Sequence, residues 1–137
     1  MSILDSLITD RTQTDVDAMN AKGSYNAADL NRVQEAMHYL ADRFAIYGYA
    51  VSLHDIREWT EADIPTQSDL DAYLEDLAAL RSVLEMAETT PDAPESMDFL
   101  TYVEANNIEQ ILVDINTIMD RVFMAYARSN AFTFWSG

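Results

Sequence analysis

The side chains with the most chemical reach in this chain are two histidines and 24 carboxylates, with no cysteine beside them. His38 and His54 do not stand at metal-ligand spacing, and no His-Glu-x-x-His motif occurs. His38 flanks an apolar seam, the place of a helix-flank side chain and not of a ligand. Asp15-x-Asp17 and Asp69-x-Asp71 lack the glycine and the closing glutamate of a calcium loop. The three glycines are not clustered, which removes phosphate-cradling loops and dinucleotide-binding readings. Serine and histidine form no recognisable nucleophile arrangement. With this many carboxylates chance proximity is expected, and acidic runs on helices are usually solvated faces. The expectation is therefore no catalytic residue, no metal ligand and no cofactor.

Charge narrows the partners. Eight basic residues stand against 24 acidic ones, a formal charge of −16. Such a surface repels phosphate backbones and anionic bilayers, so neither nucleic acid nor membrane is expected. The first residues show no basic stretch followed by an apolar one, and no apolar run approaches a membrane span. These features predict a protein made in the cytoplasm. Hydrophobic residues make up 49% of 137, enough for one domain with a real core.

Periodicity predicts an all-α fold: three long helices in a bundle, with a short N-terminal helix and an extended N-terminal arm. The strongest signal is Thr101–Tyr126. There Ala105, Ile108, Leu112, Ile115, Met119, Val122 and Tyr126 recur in heptad steps, with Ile111 and Ile118 widening the seam. Thr101 and Glu104 make a capping box at its start. The other long helices are Ser24–Tyr47, capped by Asn26, and Thr66–Glu88, capped by Thr66 or Ser68. Their seams are Leu30, Val33, Met37, Leu40, Phe44, Tyr47 and Leu70, Tyr73, Leu77, Leu80, Leu84. Ser2–Arg11 reads as the arm, with a strand-like piece at Ile3–Thr9. A short helix from Thr14, capping at Asp17, stops at Gly23. The connector Tyr49–Ile64 is anchored by Ile56, Trp59 and Ile64, and the linker Thr89–Glu95 returns to the core through Met97 and Phe99. The division is thus an arm and short helix at 1–23, a bundle at 24–126 and an aromatic tail at 127–137.

Two further features stand out. Asn106 and Asn107 lie inside the third helix and Asn31 inside the first, where asparagine is a mediocre former. Either one of them on each helix faces a seam or connector and fixes register, or they lie exposed near the helix starts. Asn31 and Asn106 also head a weak internal echo, Asn31-Arg32-Val33-Gln34 against Asn106-Asn107-Ile108-Glu109. The echo reads as a duplication or as two heptad helices that align by chance. The second feature is the aromatic run Phe123, Tyr126, Phe132, Phe134 and Trp135, on the part of the third helix that overruns the bundle. It packs against Ile3–Ile8 or offers a docking patch to another subunit; aromatics this close together are unusual on a monomer's surface.

Four stretches, LITDRTQTDV (7–16), YNAADLNRVQEAMHYLAD (25–42), WTEADIPTQSDLDAYL (59–74) and LTYVEANNIEQILVDI (100–115), cover roughly half the chain in order. They resemble a family of small proteins encoded in phage and prophage structural-gene clusters of Gram-positive, often gut-dwelling, bacteria. The resemblance implies a non-enzymatic, virion-associated role, most simply in a tail or baseplate. The partners it implies are other virion structural proteins, with homo-oligomerisation open, and it carries no functional residues over. The competing expectation is a small acidic adaptor or inhibitor that binds a basic partner. A third, an enzyme using paired carboxylates on sugars or peptides, needs a cleft that a bundle of this size has little room for.

Overall fold

One local device starts nearly every element of the computed structural model, which describes residues 2–136, with side chains described as far as Ala125. A hydroxyl or amide residue accepts from the backbone three residues on, and an acidic side chain there reaches back. Thr12 with Asp15 opens α1 (Gln13–Asp17), Asn26 with Asp29 opens α2 (Ala27–Ile46), and Thr66 with Asp69 opens α3 (Gln67–Arg81). Thr101 and Glu104 exchange the same pair of bonds, at 3.0 and 3.1 Å, ahead of α4 (Tyr102–Ser136). Each box satisfies two otherwise orphaned N–H groups and sets negative charge at the positive end of the helix. The boxes at Thr12 and Thr66 hold Asp15 and Asp69 below the ordinary carboxylate range. For Asp15 the bond from Asn20 is the largest cause, and for Asp69 it is the Thr66 N–H.

Helices are the only regular elements among the described residues: a 3-10 turn at Ile3–Ser6, the short α1 and three long helices. The helices meet pairwise around one core. Val33, Leu40, Phe44, Leu77, Leu80, Ile108, Ile111 and Leu112 are fully buried in a single cluster. Each such side chain contributes about 1.5–3 kcal/mol of burial free energy.

The long helices all point the same way. Arg32 meets Glu109, Arg43 meets Asn116 and Phe44 meets Phe123, so positions ascend together in α2 and α4. Along α3, Tyr73 meets Tyr25, and further on Asp76 and His38 both bond to His54. Parallel neighbours need connections that return the full length of the bundle, and the two connectors here are long for that reason.

Several expectations change. No strand forms at Ile3–Thr9: the 3-10 turn takes its start, and Ser6 donates to the Ile3 carbonyl. The short helix is capped by Thr12 and Asp15, not Thr14 and Asp17, because Asn20 also holds the Asp15 carboxylate. α3 stops at Arg81 rather than Glu88. Ser82 bonds back to the Ala79 carbonyl, and Val83, Leu84 and Met86 fold onto the core. In α4 the seam steps from Met119 to Phe123, leaving Val122 at 40% exposure. Ile56 and Ile64 are exposed, so Trp59 alone of the three expected anchors holds its connector. Phe99 is 98% exposed at φ 54°, while Met97 packs on the core. α4 also continues to Ser136, past the Tyr126 end read from its period.

Candidate interaction surface and the clasps that support it

Helix lengths create the surface. α2 and α3 run for 20 and 15 residues, α4 for 35, so α4 outruns both at the end where all three finish. Past Phe123 it extends about 20 Å at the standard rise. α2 closes with Gly48 at φ 88°, the left-handed conformation that glycine adopts without strain. The Gly48 N–H donates to Ala45 and the Tyr49 N–H donates to Phe44, which reverses the chain. That turn lays Tyr49 edge-on against Phe44 and brings both Tyr47 and Tyr49 to Phe123. Tyr47 stacks on Phe123 at 3.8 Å between centroids.

The product is an open cavity of about 360 Å³ lined by Ile46, Tyr47, Tyr49, Val122 and Phe123. Ile46 is 77% exposed and Met124 55%. The local charge differs from that of the chain as a whole: residues 43–54, which include Ile46, Tyr47 and Tyr49, hold no acidic residue. Residues 121–137 hold Arg121 and Arg128 but none of the 24 acidic residues. An apolar patch ringed by little negative charge can approach another protein surface without the repulsion that the acidic body would impose.

Of the expected interaction residues, Phe123 is 3% exposed, so it is the floor of this cavity and not its rim. Tyr126, Phe132, Phe134 and Trp135 lie outside the residues whose side chains are described. Ile46, Tyr49 and Met124 escaped sequence reading. The signal that points to them is the glycine at 48, which brings the residues on either side of it to the same end as residue 123.

Two clasps hold the return segments in place. On α2, the Asn31 amide donates to the Trp59 carbonyl and accepts the Trp59 N–H, both at 2.8 Å. One turn on, Gln34 does the same to Arg57 at 3.0 and 3.2 Å. On α4, Asn106 exchanges the same two bonds with Arg11, both at 3.0 Å. Each amide serves both backbone groups of one residue, as a neighbouring strand would. Asn31 therefore faces a connector and Asn106 the N-terminal arm.

The α4 clasp also holds charge. Glu109 is fully buried and accepts four bonds: from the Ile8 N–H, from Arg11 Nη2 at 2.6 Å, and from Arg32 Nε and Nη2 at 2.7 and 2.8 Å. Asp29 accepts from both arginines at 3.1 and 2.6 Å while its other oxygen caps α2 through the Asn26 N–H. Two cations and two anions balance and every carboxylate oxygen is occupied, as burial of charge requires, while Arg11 Nε is left buried without a partner. Arg11 lies 5.6 Å from the Tyr25 ring, whose hydroxyl bonds to that of Tyr73. Burial pushes both phenols well above their ordinary range. The bonds from Glu109 and Asp29 outweigh the burial of Arg32 and raise its pKa.

A chemical reading has one other place to look, a cavity of about 190 Å³ beside α3. Its His54 Nδ1 lies 2.8 Å from Asp76 Oδ1, and the His54 N–H also reaches that carboxylate. The bond to Asp76 raises the His54 pKa, with Glu75 and Asp55 adding to it. The cavity lining contains no serine, threonine or lysine that this pair could activate as a nucleophile, and its one hydroxyl, Tyr73, is bonded to Tyr25. The pair ties the connector to α3. Among the described residues no group of three or more carboxylates and histidines is arranged to hold a metal ion, and no helix is long and apolar enough to cross a membrane. No known protein family, curated protein or solved structure matches this chain.

Proposed function

We propose that this protein is a non-enzymatic helical module that works by contact, docking the open end of its bundle onto a neighbouring protein subunit. The observation that carries the reading is the apolar cavity around Phe123, with Ile46, Val122 and Met124 exposed beside it, where two stretches without acidic residues, 43–54 and 121–137, meet. The acidic body keeps the protein soluble until that end is covered. The resemblance of four segments to phage and prophage structural proteins supports a virion assembly, tail or baseplate, as the setting. A second copy of the chain is the first neighbour to test.

The test is light scattering of the intact protein and of a form truncated after Met124. An oligomer that becomes a monomer on truncation is the expected result. A monomer in both forms removes the second copy as the neighbour and returns the aromatic run to packing within the chain. The competing reading, an acidic adaptor for a basic partner, rests on the charge of −16. It predicts association that weakens steeply as salt rises, whereas an apolar interface is nearly insensitive to it.

A further inference from the structure

The two clasps are related, and the relation extends well beyond the asparagines. Asn31 and Asn106 each lie five residues after a capping residue, Asn26 and Thr101. At the same 75-residue offset, Leu30, Val33, Ala36, Met37, Leu40 and Phe44 correspond to Ala105, Ile108, Ile111, Leu112, Ile115 and Met119, and every one of these is buried. Gln34 corresponds to Glu109, and both hold the incoming segment. The segments match too. Each runs antiparallel along its helix, and the residue each asparagine grips is followed at once by a Thr-x-x-Asp pair in which the Asp carboxylate accepts the Thr N–H, Thr12–Asp15 or Thr60–Asp63, although the two segments stand 48 residues apart and not 75.

The connectivity is crossed. The arm that precedes α2 docks on α4, while the connector that follows α2, and leads through α3 to α4, docks on α2. Two units, an extended segment with α1 and α2 and an extended segment with α3 and α4, thus clasp one another reciprocally. Had they been separate chains, the arrangement would be a dimer that exchanges its arms, a low-cost route to association.

The second half of the arm holds its own shape. Asp10–Ser24 closes on itself through Asp15 to Thr12, Asn20 to Asp15, Asn20 to Gly23, and Lys22 to Asp10. Gly23 sits so tightly against the Asp15 carbonyl that a methyl group there would overlap it. Ser24–Asn26 joins this piece to α2, and Tyr25 within that stretch packs on the core.

We infer that the Asn106–Glu109 face of α4 is a socket for an extended, arginine-bearing segment, and that the N-terminal arm of a second copy of this chain can fill it. This is independent of the open end of the bundle. The socket reads backbone through Asn106 and one cation through Glu109 and Asp29, all of which a second copy supplies identically.

Full-length variants with complementary defects test it. Arg11→Ala spoils the arm and leaves its socket intact; Glu109→Gln spoils the socket and leaves its arm intact. Mixed, denatured and refolded together, they are expected to give a heterodimer of twice the chain mass, with one sound clasp and a melting temperature above that of either variant. Both variants also carry Ile46→Asp and Met124→Asp, which close the bundle end to association, so each alone stays monomeric and a dimer in the mixture reports the exchanged arms. A milder pair, Ile8→Pro with Asn106→Ala, decides the matter if the first pair does not refold. A mixture of the milder pair that runs and melts as the sum of its parts overturns the inference.

Discussion

The clasp on α4 and the clasp on α2 use the same amide device and differ in what lies beside it. On α2 the neighbours are neutral or wet: Gln34 repeats the amide pairing, and Trp59 is buried with the Arg57 guanidinium 4.0 Å over its ring. On α4 the neighbours are four buried charges. A neutral clasp loses stability piece by piece when it is trimmed. A buried charge cluster fails all at once, because removing one member leaves an uncompensated charge in a dry interior.

That contrast predicts an order of effects. Glu109→Leu strands Arg11 and Arg32 and is expected to cost about 3–5 kcal/mol, read as a fall in the urea midpoint. If its midpoint stays within that of Gln34→Leu, the two clasps are energetically alike. Replacing Arg11, Asp29, Arg32 and Glu109 together with apolar residues of similar volume is expected to cost far less than Glu109→Leu alone; a larger loss would show that the charges are individually favourable. Asn31→Ala and Asn106→Ala each leave one buried backbone pair unserved, at about 1–3 kcal/mol apiece. Hydrogen exchange should localise the first to the Arg57–Trp59 amides and the second to the Ile8–Arg11 amides.

The smallest effect is the pH response of His54. Its bond to Asp76 raises its folded pKa above the ordinary value of 6.5. A raised histidine stabilises fully below its unfolded pKa, and that contribution fades as pH rises through the higher folded value. His54→Gln should flatten the dependence across that window, and the histidine ring signals should titrate with a midpoint above 6.5. A midpoint below it would mean that Asp76 does not govern the ring.

The heptad stripes made the bundle legible. Leu40, Leu77 and Ile115 do meet in one dry cluster, because apolar periodicity reports burial directly. The same logic hid the charge cluster. Glu109 reads as a polar residue beside a seam, and nothing local to it says that Arg11, almost a hundred positions earlier, will neutralise it. Helix direction was equally silent, since periodicity is the same for parallel and antiparallel neighbours; connector length carries that information. Phe99 was misplaced for a local reason. Its backbone is left-handed and its side chain stands in solvent, a local geometry that hydrophobicity does not report. The aromatic run was visible as composition, but Gly48 decides which side chains gather at Phe123.

The central claim is that the open end of the bundle is a contact surface. Sedimentation equilibrium of the wild type and of an Ile46→Asp, Met124→Asp double variant tests it most directly, since both side chains are exposed and neither belongs to the core. The account predicts association in the wild type at both low and high salt, and a monomer of unchanged melting temperature in the variant. Association that survives the two aspartates, or that vanishes in the wild type when salt is raised, would contradict it.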